Sequence, residues 1–353
     1  MFDRQGVNAV LASERIIKDL TVMATSRLKM ALIGCGGIAQ AHWAGIQQIA
    51  KRVDVTVVVD KNPLALEAMV SETGADGFTE IGEALEMGDF DAVDIMLPHA
   101  SHEFAALACF AAGKHVLLEK PIAHTLESAE RILQASRDVD TTFMIAEQSQ
   151  YWPDIIAARQ LIDDGAIGNL ISASGNFYDR VTVDSGASPP WRYDLSAAGG
   201  GVTIDGGAHW IRPLRMMMGE ISEVIGVAGN HVPMMEGESW SRMLIKFENA
   251  SAGVLNCQNY AHAAGPADLF RVTGTEGELL ITGGREGVLT LFNNSFPKGE
   301  IIMSGVAGRK NSYGEELKNF CEVILDGTDM AASPEFSLGE LRTALALYAS
   351  IKS

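Results

Sequence analysis

The stretch KMALIGCGGIAQAH, residues 29–42, runs an apolar segment straight into a glycine cluster and out into helical spacing. A strand that must turn this sharply into a helix leaves few folds open. Gly34, Gly36 and Ala39 match G-x-G-x-x-[GA], with Gly37 and Ile38 between the last two. The first glycine permits the turn, the second lets backbone approach a pyrophosphate, and a small third residue lets helix and strand lie close. An anion would then meet the free N–H groups and positive dipole end of the helix. Taken alone, the stretch reads equally well as a structural turn.

Its surroundings favour the nucleotide reading. VDVTVVVD (53–60), FDAVDIMLP (90–98), KHVLLEKP (114–121) and TTFMIAEQ (141–148) read as strands. PLALEAMVSETG (63–74), SHEFAALACFAAG (101–113) and TLESAERILQASRD (125–138) read as helices between them. Pro63 suits a helix start, Ser101 a cap, and Gly74 and Gly113 helix ends. Short apolar strands alternating with helices predict an α/β fold, a doubly wound parallel sheet covered on both faces. Asp60 ends the second strand, where a carboxylate accepts hydrogen bonds from the adenosine ribose and repels a 2′-phosphate. NAD is therefore the expected cofactor, and Lys61 beside Asp60 leaves room for NADP.

After Gln148 the texture changes. A helix over 153–165 precedes long strand-like runs at 169–183, 241–249, 252–262, 269–282 and 287–293, several joined by glycine turns such as GTEG. One helix is expected over 205–219 and two more over 312–327 and 337–353. The expectation is a Rossmann domain over 28–148 and an α+β domain with a large, mostly antiparallel sheet over 149–353. Residues 1–27 read as an N-terminal extension with a short amphipathic helix in VNAVLASERIIKDL; Met23 opens MATSRLKMALIG, a natural translation start.

Composition narrows the partners. Forty-five acidic against 27 basic residues give a formal charge of −18, which repels nucleic acid and anionic lipid. Cys35, Cys109, Cys257 and Cys321 form no CxxC pair and read as small core residues. With no long apolar run and a charged N-terminus, a cytoplasmic enzyme is expected.

Two clusters carry candidate chemistry. Glu119, Lys120 and Pro121 sit at the carboxyl edge of the parallel sheet, where such folds bind ligands. Lys120 reads either as a solvated cation or as a proton donor or acceptor beside the nicotinamide, fixed by Glu119. Asp205 and His209, in GGGVTIDGGAHW, are four apart and share a face of the expected helix. They could be a carboxylate with a general base or a satisfied core histidine. A metal site is not expected, since no third ligand follows in the spacing.

The stretches GCGGIAQAH, DIMLPHASHEFAALACFAAGKHVLLEKPIA and WRYDLSAAGGGVTIDGGAHWIRPLRMMMGE resemble the Gfo/Idh/MocA family, named for glucose-fructose oxidoreductase and inositol dehydrogenase. The resemblance runs from Leu28 to the end. It implies an NAD(P)-dependent enzyme acting on a hydroxyl or carbonyl of a sugar, glycoside or cyclitol, and a homodimer or homotetramer built through the C-terminal sheet. It also implies that Lys120 lies near the reacting hydroxyl, that His209 is the acid/base and that Asp205 orients substrate or imidazole. Leu97, Pro98, His99 and His102 would line the cofactor site, and Tyr151, Trp191 and Arg192 would face substrate. A cis bond before Pro121 is implied too. His99 stands where relatives often carry asparagine, which makes it a candidate second titrating group. Two further readings stay open: an NAD-recycling glycoside hydrolase or lyase, and a dinucleotide-binding sensor without turnover.

Overall fold

The computed structural model describes residues 27–181, 190–260, 269–282, 287–305 and 308–352. The helix expected within residues 1–27 lies outside the described residues.

The first half is β1 (Leu28–Ile33), α1 (Gly37–Gln48), β2 (Val53–Val59), α2 (Pro63–Thr73), β3 (Asp76–Phe78), α3 (Ile81–Met87), β4 (Ala92–Ile95), α4 (His102–Ala111), β5 (His115–Glu119), α5 (Leu126–Arg137) and β6 (Phe143–Ala146). These strands form one parallel sheet in the order β3-β2-β1-β4-β5-β6. The order reverses between β1 and β4, so loops at their carboxyl ends part and open a crevice there. Buried Val, Ile or Leu residues on β1, β2, β4, β5 and β6 explain the apolar runs, while the short edge strand β3 has none.

The second half continues with α6 (Pro153–Asp163), β7 (Leu170–Arg180), the single turn α7 (Leu195–Ala198), α8 (Ala208–Met218), β8 (Ile221–Gly229), β9 (Trp240–Phe247), β10 (Ala252–Tyr260), β11 (Phe270–Gly274), β12 (Gly277–Thr282), β13 (Val288–Asn293) and β14 (Glu300–Met303). Its eight strands run β14-β13-β12-β11-β7-β10-β9-β8. All pairs are antiparallel except β7 with β10, because α7, α8, β8 and β9 intervene between those two. On β9 the burial alternates strictly, with Met243, Ile245 and Phe247 turned inward against α8 residues such as Leu214 and Met217.

The last two helices, α9 (Gly308–Asp326) and α10 (Leu338–Lys352), return to the first sheet. Leu317, Phe320 and Cys321 of α9 share a core with β1 and α1. A Cβ on Gly45 of α1 would lie 3.0 Å from the Gly314 nitrogen, so only glycine lets these helices approach so closely. Leu341 and Ala344 of α10 join the core on the other face of the sheet, and Leu347 joins that of the large sheet.

Several expectations need correction. Ser101 makes no side-chain cap; residues 99–101 form a 3-10 turn that feeds directly into α4. The helix expected over 205–219 begins only at Ala208, because glycines 206 and 207 extend the preceding turn. β3, α3, β8 and β14 were not anticipated; each is short or mixes polar and apolar residues without a clear period. All four cysteines are buried and free. Among the described residues no helix is long and apolar enough to cross a membrane.

Candidate active site

At the end of β1, Gly34 takes φ +96°, and a Cβ there would lie 2.5 Å from the Met96 carbonyl oxygen. Its N–H donates to the Val59 carbonyl at 2.8 Å, which locks the turn to β2. Asp60 then reaches back: its carboxylate accepts from the Cys35 N–H and the Asn62 N–H, both at 2.7 Å. Gly36 is extended ahead of α1, no side chain caps the helix, and its first turn holds no acidic residue. Cβ atoms on Gly36 or Gly37 would meet nothing within 4 Å, while Ala39 is fully buried beneath and Ile38 packs at the edge of the core. Open space over an uncapped helix N-terminus is what a pyrophosphate requires, and the Asp60 carboxylate stands beside it for a ribose. These residues fit a dinucleotide. Lys61 is exposed and points toward Glu80 at 3.8 Å.

Across the crevice, β5 and β6 end side by side, with Glu119 in register with Ala146. The next residue on each strand therefore brings Lys120 and Glu147 to the same edge. The peptide bond between Lys120 and Pro121 is cis, as implied. The Lys120 ammonium donates to the Asp205 carboxylate at 3.0 Å and to the Asp205 carbonyl at 3.1 Å. Arg192 Nε donates to the other Asp205 carboxylate oxygen at 2.8 Å. Burial pushes the Asp205 carboxyl up, but the charges of Lys120 and Arg192 outweigh it and hold the group well below the usual range. Burial likewise works against the Lys120 ammonium, and Asp205, Glu119 and Glu147 together raise it above its ordinary value. Lys120 is thus a fixed cation.

His209, in the first turn of α8, places Nδ1 2.7 Å from Glu147 Oε1. The same carboxylate oxygen accepts from the Ser149 N–H at 3.0 Å and its hydroxyl at 2.6 Å. Although burial alone would raise it, the charges of His209, Arg212 and Lys120 bring the Glu147 carboxyl down to about 2. With an ionised partner on Nδ1, His209 Nε2 is left without a hydrogen bond to the described residues.

The structure brings Lys120, Asp205, Arg192 and His209 together, yet not in the expected pairs. Asp205 precedes α8 and binds Lys120 and Arg192, not the imidazole. Glu119 does not hold Lys120; it accepts from His42 Nε2 at 3.1 Å. His99 is no second titrating group near neutrality: its Nδ1 donates to the Ala198 carbonyl at 2.8 Å, and burial lowers it to about 3. It packs edge-on against Trp191 with centroids 4.8 Å apart, and the Arg192 guanidinium lies 4.4 Å over the same indole. His102 is fully buried between the Leu97 and Pro121 carbonyls, each 2.9 Å away, and burial holds it below the usual histidine value against the pull of those two carbonyls. It braces the loop carrying the half-buried Leu97 and Pro98 and does not line an open site. Tyr151 turns away, its hydroxyl donating to Asn319 of α9 at 2.9 Å. Among the described residues no cluster of three or more His, Cys, Asp or Glu side chains could hold a metal.

Sequence reasoning missed Glu147 and His42. Glu147 had a signal, an acid at the carboxyl edge of the sixth strand, the same placement that singled out Glu119.

Comparison with known proteins bears on this geometry. Residues 28–147 match the model described as "oxidoreductase family, NAD-binding Rossmann fold", and residues 155–280 match the C-terminal domain model of the same family. Among characterised relatives, levoglucosan dehydrogenase of Pseudarthrobacter phenanthrenivorans is 26% identical, with 88% of this chain and 92% of that protein covered. Myo-inositol 2-dehydrogenase of Thermotoga maritima is 24% identical, covering 87% and 91%. A solved levoglucosan dehydrogenase with NADH and levoglucosan shares the fold at a TM-score of 0.82 and 23% identity, covering 93% of this chain and 98% of that one. An oxidoreductase domain protein from Kribbella flavida does so at 0.84 and 23%, covering 93% and 97%.

Proposed function

The chain belongs to the Gfo/Idh/MocA family of oxidoreductases, and from that premise we propose that it is a cytoplasmic NAD-dependent dehydrogenase for a secondary alcohol of a sugar, glycoside or cyclitol. The observation that carries this reading is the contiguous set Arg192–Asp205–Lys120 beside Glu147–His209, at the strand ends facing the glycine turn. The related sugar and inositol dehydrogenases support the substrate class. Gly34, Gly36, Gly37, Ile38 and Ala39 would hold the pyrophosphate and Asp60 the adenosine ribose. NAD, when bound, supplies the hydride acceptor.

The chain's own residues divide the remaining work. His209 Nε2 takes the hydroxyl proton, and Glu147 stabilises the imidazolium that forms. Lys120, held as an ammonium, donates a hydrogen bond to the substrate oxygen as charge develops on it, an electrostatic role and not a base's. Asp205 aims Lys120 and Arg192 into the cleft. Trp191 and Arg192 form a flat, cationic wall suited to a sugar ring.

A homo-oligomer formed through the outer face of the large sheet is part of the proposal. Ile225, Leu244 and Val254 stand directly across from one another on β8, β9 and β10 and are all exposed, as is Ile171 on β7. An apolar row of this kind on a broad sheet marks an interaction surface.

The test follows nicotinamide absorbance with NAD and NADP against a panel of sugars, glycosides and inositols. Stoichiometric NADH from a panel member, lost in Lys120→Ala and His209→Ala, is the expected result. Unchanged turnover in both variants would overturn the mechanism.

A further inference from the structure

His42 is absent from every role assigned so far, yet its setting is specific. It is fully buried in the second turn of α1, the helix whose first turn faces the dinucleotide. Its Nδ1 lies 2.8 Å from Asp94 Oδ2 at the end of β4, and its Nε2 lies 3.1 Å from Glu119 Oε1 at the end of β5. Ionised carboxylates only accept hydrogen bonds, so an imidazole with a carboxylate on each nitrogen must carry both protons. We propose that His42 is a positioning residue for Lys120: as an imidazolium fixed between Asp94 and Glu119, it occupies the Glu119 carboxylate and leaves the lysine ammonium to Asp205 and the substrate oxygen. This rests on the reading of Lys120 as an active-site group.

Glu119 is one peptide bond from Lys120. A buried carboxylate stripped of its cation either neutralises or takes another cation, and the nearest is Lys120. Asp205 would then lose Lys120 to Glu119 and keep only Arg192, and the ammonium would be drawn down into the sheet edge. The groups facing His42 agree with a fixed charge. Asp94 and Glu119 close the two nitrogens, and from α9 the Tyr313 ring packs with centroids 5.4 Å away, with the Glu316 carboxyl, raised well above its ordinary value by burial, close by. Burial opposes the charge on His42, but Asp94 and Glu119 together raise the group well above its ordinary value. The same rigid helix therefore carries both the pyrophosphate-facing turn and the cation that frees the lysine.

The experiment uses full-length protein saturated with NAD. Nitrogen NMR on ¹⁵N-histidine protein, with His42 assigned through His42→Gln, should show both ring nitrogens protonated from pH 6 to pH 9. A neutral tautomer with one bare nitrogen in that range would overturn the proposal. Nitrogen NMR on ¹⁵N-lysine protein, with Lys120 assigned through Lys120→Arg, reads the second half. The Lys120 ammonium signal should move in His42→Gln and return toward wild type in His42→Gln/Glu119→Gln, where no stranded carboxylate competes. An unmoved signal in the single variant, or a double variant no nearer to wild type, would overturn it. Should His42→Gln fail to fold, Glu119→Gln decides alone: it keeps the shape and should leave the Lys120 signal in place, and displacement would overturn the proposal. Failure of the functional reading looks different, since it appears as turnover surviving Lys120→Ala whatever the spectra show.

Discussion

Among the described residues, His42 and His209 both hydrogen-bond to carboxylates, and they would do opposite things. His42 has a carboxylate on both ring nitrogens and no exposed surface. His209 has Glu147 on Nδ1 alone, its side chain is 18% exposed, and Nε2 makes no hydrogen bond to the described residues. The first cannot lose a proton without giving up a charge-assisted bond; the second has a ring nitrogen that no described residue occupies. Residue type and partner type are shared, so the difference lies in how many nitrogens the fold leaves free.

The sharpest way to break that contrast is to remove the free nitrogen. His209→Asn is expected to lower kcat by roughly 10²- to 10⁴-fold, the usual worth of a general base. Thermal stabilisation by NAD should persist, because the glycine turn and Asp60 are untouched. A variant that kept wild-type kcat would reduce His209 to a core residue like His102.

Glu147→Gln sharpens the comparison from the carboxylate side. The amide oxygen can still accept from Nδ1, so geometry survives and only the anion is lost. A hydrogen bond to a charged group is worth about 1.5–3 kcal/mol, so kcat should fall about 10- to 100-fold with KM for substrate nearly unchanged. A fall in which KM carried the whole effect would make Glu147 a binding residue instead.

Asp60→Ser probes the far end of the same cleft. Its carboxylate holds the glycine turn through the Cys35 N–H as well as standing ready for a ribose. NAD affinity should weaken about 10-fold by titration, with the preference over NADP reduced, since a serine no longer repels a 2′-phosphate. An unaltered NAD to NADP ratio would show that Asp60 shapes the turn without selecting the cofactor.

How much of this was legible follows the range of the interactions. The glycine turn, the strand ends and the acid after β2 are local, and strand period with turn chemistry placed them in the right loops. Long-range pairings were not. His209 and Glu147 lie 62 residues apart, and His42 and Glu119 lie 77 apart. No spacing rule connects them, because sheet register and helix packing bring them together. The helix face drawn through Asp205 and His209 misled for the same reason: glycines 206 and 207 hold the chain in a turn, and tertiary partners claimed each side chain separately. Tyr151 failed similarly, since the expectation could not include α9, which arrives from more than 150 residues away to take its hydroxyl.

The smallest expected effect concerns a pair of buried acids with opposite signs. Glu147 is ionised by its cations, and its contribution to stability is present above the ordinary value of 4.5 and lost as pH falls toward about 2. Glu316, on α9, is fully buried with no hydrogen-bond partner on either carboxyl oxygen among the described residues. Burial, with Glu119, Glu147 and Asp94 nearby, raises it well above 4.5 despite the charge of His42. The folded state therefore keeps a proton there that the unfolded chain releases. By linkage, stability falls as pH rises through the unfolded value of 4.5 toward the folded one. Glu316→Gln carries no proton to lose and nearly the same shape, so it should melt about 2 °C or more above wild type at pH 8 and match it near pH 4. A variant that melted lower at pH 8 would mean that Glu316 is ionised and paired, and would place it with Glu147 among the acids the fold holds charged.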